Sequence, residues 1–248
     1  MISFKIKLAN KVIEVATIYS MTKKLCKDYL SQEKADFSIK IEENDIDNER
    51  IKSKEEDERQ GINIRNFSNE YLETLAVYRK IATQMPQFNV LLFHGSVIAV
   101  DNKGYLFTAP SGTGKSTHTR LWMERFKNRA YMVNDDKPLL KIDNDIVTAY
   151  GTPWDGKHRL STNTSVSLQG ICILYQAKEN TIKKINKKDA LMQILQQTYR
   201  PLDNPQAYIQ TLNLIDQLLN STPVYKMGCN ISQEAVNIAY EAMKMTND

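Results

Sequence analysis

Glycine is scarce in this sequence and unevenly distributed. Only 9 of the 248 residues are glycine, and none lies in the first 60 residues. Seven of the nine fall between residues 95 and 170. Because glycine tolerates positive φ and close backbone approach, this clustering indicates that the middle of the chain contains the backbone that needs unusual geometry.

Other absences exclude several classes of protein. No apolar run approaches the ~18 residues of a membrane span, and residues 1–15 lack the apolar region and cleavage site of a signal peptide. Three scattered cysteines argue against a disulfide framework or a zinc site and favour a reducing, cytoplasmic location. The net charge of +4 comes without a basic stripe interleaved with aromatics, so we expect neither a nucleic-acid nor a membrane partner.

Residues 1–66 are predicted to form a small β-rich N-terminal subdomain. Apolar and polar residues alternate on both sides of residues 9–11, which predicts a hairpin. Residues 20–31 predict a short helix. The segment 33–60 carries 11 acidic and 6 basic residues and few apolar ones. We interpret it as a solvated loop or polar hairpin rather than an interaction surface.

Residues 67–248 are predicted to form the main domain. A helix with apolar residues at helical spacing covers 69–85 and leads into it. Strand hairpins and strand–helix alternation follow, which favours an α/β domain with a mixed rather than a purely parallel sheet. The later predicted elements are a helix after residue 114, strands at 130–136, 170–176 and 223–227, and helices at 187–199, 204–219 and 231–245.

The strongest motif is a glycine-rich loop between a predicted strand and a predicted helix. It consists of Ser111, Gly112, Thr113, Gly114, Lys115, Ser116 and Thr117. Backbone N–H groups in such a loop, together with the positive end of the helix dipole, form a site for phosphate. Lys115 supplies a charge for the β- and γ-phosphates, and the Ser116 hydroxyl is the expected ligand of Mg²⁺. A glycine turn at an ordinary helix start would not explain Lys-Ser-Thr directly after it.

Two carboxylates, Asp135 and Asp136, follow a predicted strand. Ligands bind at the carboxyl ends of strands in α/β sheets, so this pair could hold Mg²⁺, and one member could accept a proton from a hydroxyl. The alternative is a solvated Asp-Asp turn. His94 interrupts an apolar strand next to Gly95; it is either a hydrogen-bonded core residue or a functional one.

The segment 151–159 combines two glycines, a proline and a tryptophan with Lys157, His158 and Arg159. No regular element needs that composition. It is either a loop that brings a basic side chain to a phosphate or an acidic substrate, or a surface loop anchored by its tryptophan.

In this order, the His-Gly strand, the S-G-T-G-K-S loop and the Asp-Asp strand end resemble the catalytic domain of the HPr kinase/phosphorylase family. The loop is also similar to that of ATP-dependent phosphoenolpyruvate carboxykinase. The resemblance covers roughly residues 90–175 and implies a mixed-sheet phosphate-loop core shared by these enzymes. Ala109 takes the position of the first loop glycine, and residues 1–66 do not resemble the N-terminal domain of the family. The chain therefore looks more like a stand-alone relative than HPr kinase itself.

The resemblance implies roles for individual residues. Ser111 to Thr117 would bind the phosphates of ATP, His94 would lie beside the reacting phosphoryl group, and Asp135 or Asp136 would be the general base. The acidic pair with Ser116 would organise Mg²⁺. The resemblance also implies that the chain could form an oligomer, because HPr kinase relatives form hexamers.

The function expected is therefore a Mg²⁺/ATP-dependent kinase whose acceptor is a hydroxyl, of Ser or Thr in a small protein or peptide. Lys115 would steady the γ-phosphate, and Arg159 or His158 would stabilise the transferring group. Two alternatives are a small-molecule kinase on the same core and a non-catalytic nucleotide-binding module that uses the acidic segment 33–60.

Overall fold

The computed structural model describes residues 1–110, 112–156 and 159–244. The chain divides into two compact units, Met1–Gln84 and Met85–Asp248. The division falls later than the boundary expected at residue 66, because the helix that follows that boundary packs against the helices and the sheet of the first unit. No helix in these described ranges is both long and apolar enough to cross a membrane.

The first unit, every residue of which is described, is a three-stranded sheet covered by helices. Strands β1 (Ile2–Leu8) and β2 (Lys11–Thr17) form the predicted antiparallel hairpin, and β3 (Phe37–Lys40) pairs parallel to β2. The turn of the hairpin has positive φ at both Ala9 and Asn10, which matches the twist of the strands. The α-helices are α1 (Met21–Leu25), α2 (Glu43–Arg59) and α3 (Asn69–Gln84).

The acidic segment 33–60 is mostly helical, so the predicted loop or polar hairpin is wrong. Strand β3 and helix α2 occupy most of it. Helix α2 has no broad apolar stripe; instead, two of its carboxylates are buried and paired. Glu49 is hydrogen-bonded to Arg79 of α3, and Asp57 accepts a 2.6 Å hydrogen bond from Arg65. Ion pairs with residues outside the segment therefore stabilise a helix that composition alone does not indicate.

The second unit is built on a mixed sheet, to which the described residues contribute nine strands. Seven of them run in the order β4-β8-β9-β10-β6-β5-β7, and β12 pairs with both β10 and β11. Strand β10 is central, because it pairs parallel to β6 and β12 and antiparallel to β9. The strands are β4 (Val90–Leu92), β5 (Ser96–Val100), β6 (Lys103–Thr108), β7 (Ala130–Asn134), β8 (Leu139–Asp143), β9 (Ile146–Tyr150), β10 (Ser165–Gln176), β11 (Thr181–Ile185) and β12 (Val224–Cys229).

Helices cover both faces of this sheet, and the mixed α/β architecture agrees with the sequence prediction. Helices α4 (Lys115–Phe126) and α7 (Gln233–Met243) bury apolar side chains on one face. Helices α5 (Lys187–Gln197) and α6 (Pro205–Ser221) do so on the other. Successive residues of a strand point to opposite faces: Ile171 and Ile173 of β10 face α5 and α6, and Cys172 faces α4 and α7.

Candidate functional site

The predicted phosphate loop lies between β6 and α4, as expected from the sequence. Gly112 has a φ of +79° and Gly114 a φ of +113°, which L side chains rarely adopt. A Cβ at either position would contact no heavy atom within 4 Å. The backbone conformation, rather than lack of space, therefore requires glycine here. Ser111, predicted to bind phosphate, lies outside the described residues.

Lys115, the first residue of α4, folds back over the start of the loop. Its Nζ donates a 2.8 Å hydrogen bond to the carbonyl oxygen of Ala109. Burial lowers the pKa of Lys115, and the charge of Asp136 partly offsets that effect. Ser116 is exposed and Thr117 half-buried in the first turn of α4, where the helix dipole favours an anion.

Helix α4 is fixed behind the loop by a buried aromatic cluster. Trp122 is fully buried and donates a 3.1 Å hydrogen bond from Nε1 to His118 Nε2. Burial lowers the pKa of His118 to about 4, so the ring is neutral near pH 7 and can accept that bond. The ring of Trp122 also packs on Tyr105 of β6. The helix that starts at Lys115 is thereby held against the strand that precedes the loop.

The two carboxylates after β7 have different surroundings. Asp135 is only 6% exposed, and its Oδ1 accepts a 2.5 Å hydrogen bond from the backbone N–H of Gly156. A Cβ at residue 156 would lie 2.6 Å from Asp135 Oδ2. Asp135 thus holds the loop at 151–156 against the end of β7, and glycine is needed for that close approach.

Asp136 faces basic groups instead. Its Oδ1 lies 3.4 Å from Nε2 of His94, and its Oδ2 lies 3.7 Å from Nζ of Lys137. Burial by itself would raise the pKa of Asp136, but the hydrogen bond with His94 and the charges of Lys137, His94 and Lys115 together lower it. Asp136 is therefore ionised near neutral pH.

His94 lies between β4 and β5, where the predicted continuous strand is interrupted. Its Nδ1 is 2.8 Å from Oε1 of Gln197 at the end of α5, and its carbonyl accepts a 2.9 Å hydrogen bond from the Thr108 hydroxyl. These contacts orient the ring so that Nε2 points toward Asp136. Gln197 could not be predicted from the sequence, because it lies far along the chain from His94 in an ordinary helix.

Asn134, the last residue of β7, is a second residue that the sequence did not single out. Its Oδ1 accepts hydrogen bonds from the backbone N–H groups of Asp136 (2.9 Å) and Lys137 (2.6 Å). Its Nδ2 donates to the Thr152 hydroxyl at 3.0 Å. Asn134 therefore joins the acidic pair to the loop at 151–156. Its position directly before the two aspartates was the available signal.

The basic residues of that loop were predicted to reach the transferring group. Lys157 and His158 lie outside the described residues. Arg159 has an exposed side chain and a φ of +49°, and its backbone N–H donates a 3.1 Å hydrogen bond to the carbonyl of Gly156. Burial and the charge of Asp135 raise the pKa of Asp155 in the same loop. The role of Arg159 stays a prediction.

Lys115, Asp136 and His94 thus come together at one edge of the sheet. Among the described residues no three or more His, Cys, Asp and Glu side chains are grouped to hold a metal ion. Mg²⁺ bound with a nucleotide takes only one or two protein carboxylates, and phosphate oxygens and water supply its other ligands. An ionised Asp136 and the exposed Ser116 hydroxyl have the chemistry of that smaller donor set.

The comparison with solved structures finds a distant likeness. No family matches the sequence, and no curated protein matches it. Among solved structures the chain is similar to the HPr(Ser) kinase/phosphatase from Coxiella burnetii, with 13% identity and a TM-score of 0.35 over 61% of this chain and 93% of the other. Because the sequence identity and the TM-score are so low, the function has to be argued from the residues of the site.

Proposed function

We propose that this chain is a Mg²⁺/ATP-dependent phosphotransferase that moves the γ-phosphate to a hydroxyl, that of Ser or Thr in a small protein or peptide. The observation that carries the proposal is the convergence of Lys115 from the glycine-rich loop with Asp136 and His94. A cation that can bind phosphate and an ionised carboxylate that can accept a proton then lie at one edge of the sheet.

The loop and the first turn of α4 would bind the triphosphate. Their backbone N–H groups and the helix dipole favour the phosphates, and Lys115 would exchange its bond to Ala109 for a phosphate oxygen. Ser116 would hold Mg²⁺ directly and Asp136 through a bound water, which leaves the Asp136 carboxylate able to accept a proton. Mg²⁺ neutralises part of the charge on the phosphates. Positioning and charge neutralisation of this kind supply most of the catalysis in phosphoryl transfer.

Asp136 is the better proton acceptor of the acidic pair. It is partly exposed and close to His94, whereas the carboxylate of Asp135 is buried against Gly156. His94 would orient Asp136 and lie beside the transferred group. Asp135 would position the loop at 151–156, from which Arg159 or His158 would reach the phosphoryl group.

Substitution of the two aspartates tests these roles. Asp136→Asn should bind Mg-ATP but lose phosphate transfer by roughly 10²–10⁴-fold, the usual contribution of general base catalysis. Asp135→Asn should lower both the melting temperature and the transfer rate, because it weakens the bond to Gly156. The measurements are calorimetric titration with ATP, and transfer from labelled ATP to the products of neighbouring genes and to a panel of hydroxyl metabolites.

The outcomes of this experiment are distinct. Full activity of Asp136→Asn would refute its assignment as the base. Labelling of metabolites alone would favour the small-molecule kinase, and ATP binding without transfer to any acceptor would favour the non-catalytic module.

A further inference from the structure

A cavity of about 590 Å³ lies at the edge of the second unit's sheet, beside the start of the phosphate loop. The end of β6, Ala109 and Pro110 form one wall, and β10, β11, β12 and the inner side of α5 form the others. Ala109 is also the residue whose carbonyl holds Lys115. No residue of this cavity was singled out in the sequence except Ala109.

Two lysines lie side by side in the cavity lining. Lys183 of β11 and Lys226 of β12 are directly opposite in the antiparallel register, and both line the cavity. Like charges in that relationship are destabilising. Neither lysine forms an ion pair within the described ranges, and none of the described residues that line the cavity is acidic. The pair of charges therefore favours an anionic ligand.

The wall formed by α5 is polar but uncharged, since Gln193, Gln196 and Gln197 line the cavity there. Amide side chains both donate and accept hydrogen bonds, so this wall suits a ligand that carries N–H, O–H or C=O groups beside its negative charge. A purine base offers N–H groups but no charge for the two lysines.

Gln197 connects this cavity to the candidate catalytic residues. It lines the cavity one helical turn beyond Gln193, and its Oε1 lies 2.8 Å from Nδ1 of His94. The other nitrogen of His94 faces Asp136. A ligand in the cavity would therefore lie beside the start of the phosphate loop, with Gln197 and His94 between it and the proposed base.

We propose that this cavity binds a carboxylate carried by the phosphoryl acceptor, so that the enzyme selects a hydroxyl with an acidic neighbour. This inference rests on the proposed function. Carboxylates supply the negative charge of ordinary peptides, and the peptide backbone offers N–H and C=O groups to the glutamines of α5. A free hydroxy acid also carries a hydroxyl and a carboxylate, and the test separates these two sources.

The test is calorimetric titration of the full chain without nucleotide, using three probes. Two are capped peptides that differ only in charge, with Ser between two Glu or between two Gln; the third is glycerate. The test variant carries both Lys183→Gln and Lys226→Gln. The control variant is Lys184→Gln, at an exposed neighbouring position on β11 outside the cavity lining. Gln keeps a long polar side chain. The double variant loses the contact of Lys226 with the ring of Tyr175 but also the repulsion between facing like charges, and its melting temperature is measured beside the titration.

We expect the acidic peptide to bind at least about tenfold more tightly than its neutral partner, since a hydrogen bond to a charged group is typically worth that much. The double variant should abolish that preference, and Lys184→Gln should keep it. Glycerate binding with no preference between the peptides would assign the cavity to a small hydroxy acid. Equal, lysine-independent binding of all three probes, or no binding, would refute the proposal.

Titration with ATP separates the two proposals. The double variant should bind ATP like the wild type, and a loss of ATP binding would show that the cavity serves the nucleotide and overturn the inference. If the wild type does not bind ATP, the proposed function fails, and the carboxylate titration still decides whether the cavity binds an anion.

Discussion

At the scale of single residues, adjacent carboxylates can differ in chemistry because their neighbours differ. Asp135 is bound to a backbone N–H and only 6% exposed, whereas Asp136 faces His94 and Lys137. The Asp-Asp pattern predicted that the pair holds Mg²⁺ and that one member is the base, without choosing between them. The choice proposed here depends on contacts with Gly156 and His94, which are distant in sequence, and so needed the structure.

The substitution Gly156→Ala tests the role of Asp135 without changing either carboxylate. Its Cβ would lie 2.6 Å from Asp135 Oδ2, so the bond between the loop and Asp135 must lengthen or break. We expect a loss of about 1–3 kcal/mol in the free energy of unfolding, reduced transfer and unchanged ATP affinity. Urea unfolding and ATP titration measure these quantities. Gly61→Ala is the control for loss of a glycine, because its φ of +65° is strained for alanine but no atom lies within 4 Å of the added Cβ. If Gly156→Ala is as stable as wild type, Asp135 does not hold the loop at 151–156 through Gly156.

At the scale of elements, helix α3 is joined to the end of β2 by one buried carboxylate. Both oxygens of Glu73 accept hydrogen bonds, from the backbone N–H groups of Ile18 and Tyr19. Burial raises the pKa of Glu73 above its usual value, although these two bonds lower it in part. A carboxyl whose pKa is higher in the folded than in the unfolded state opposes folding at any pH where it is ionised.

The variant Glu73→Gln tests this cost of burial. Its amide oxygen can keep the bonds that Oε1 accepts from Ile18 and Tyr19, but its NH2 group cannot accept the bond that Oε2 accepts from Tyr19, which adds a cost independent of pH. The stability of the variant relative to wild type should therefore be highest above the folded pKa of Glu73, and should fall to a constant, lower value below the pKa of the unfolded chain. Thermal unfolding between pH 3 and pH 8 measures this. Glu55→Gln, at an exposed position on α2, should show no such dependence; a stability difference between Glu73→Gln and wild type that does not change with pH would refute the expectation.

Elements whose stabilising contacts are local were predictable from the sequence, and those that depend on distant partners were not. The hairpin turn at residues 9–10, helix α3 and the strand–loop–helix around Lys115 all follow from periodicity and turn residues. Helix α2 was missed because its buried carboxylates depend on Arg65 and Arg79. Strand β11 was missed because its side chains are largely exposed and because β12 is its one partner strand among the described residues. Gln197 was missed for a related reason, since its partner His94 is distant in sequence. Asn134 had a local signal, because it directly precedes the two aspartates.

At the scale of the whole molecule, ligand binding should raise the free energy of unfolding. A ligand that binds only the folded state at a hundred times its Kd adds about 2.7 kcal/mol. Mg-ATP at that concentration should raise the melting temperature of the second unit by roughly 5–10 °C. Scanning calorimetry measures the shift. Lys115→Ala should abolish it, while the exposed control Lys188→Ala retains it; an equal shift in both variants would contradict a role for Lys115.

The central position of β10 has a consequence for the order in which the protein can fold during synthesis. Strand β6, which leads into the phosphate loop, pairs with β5 immediately before it and with β10 only after residues up to 173 have been made. Strand β10 in turn pairs with β12, at residues 224–229. The nascent chain therefore carries an unpaired β6 edge for much of its translation, which is a period of exposure to misassembly. Slow synthesis between residues 110 and 165 would lengthen that period, and slow synthesis after residue 229 would not.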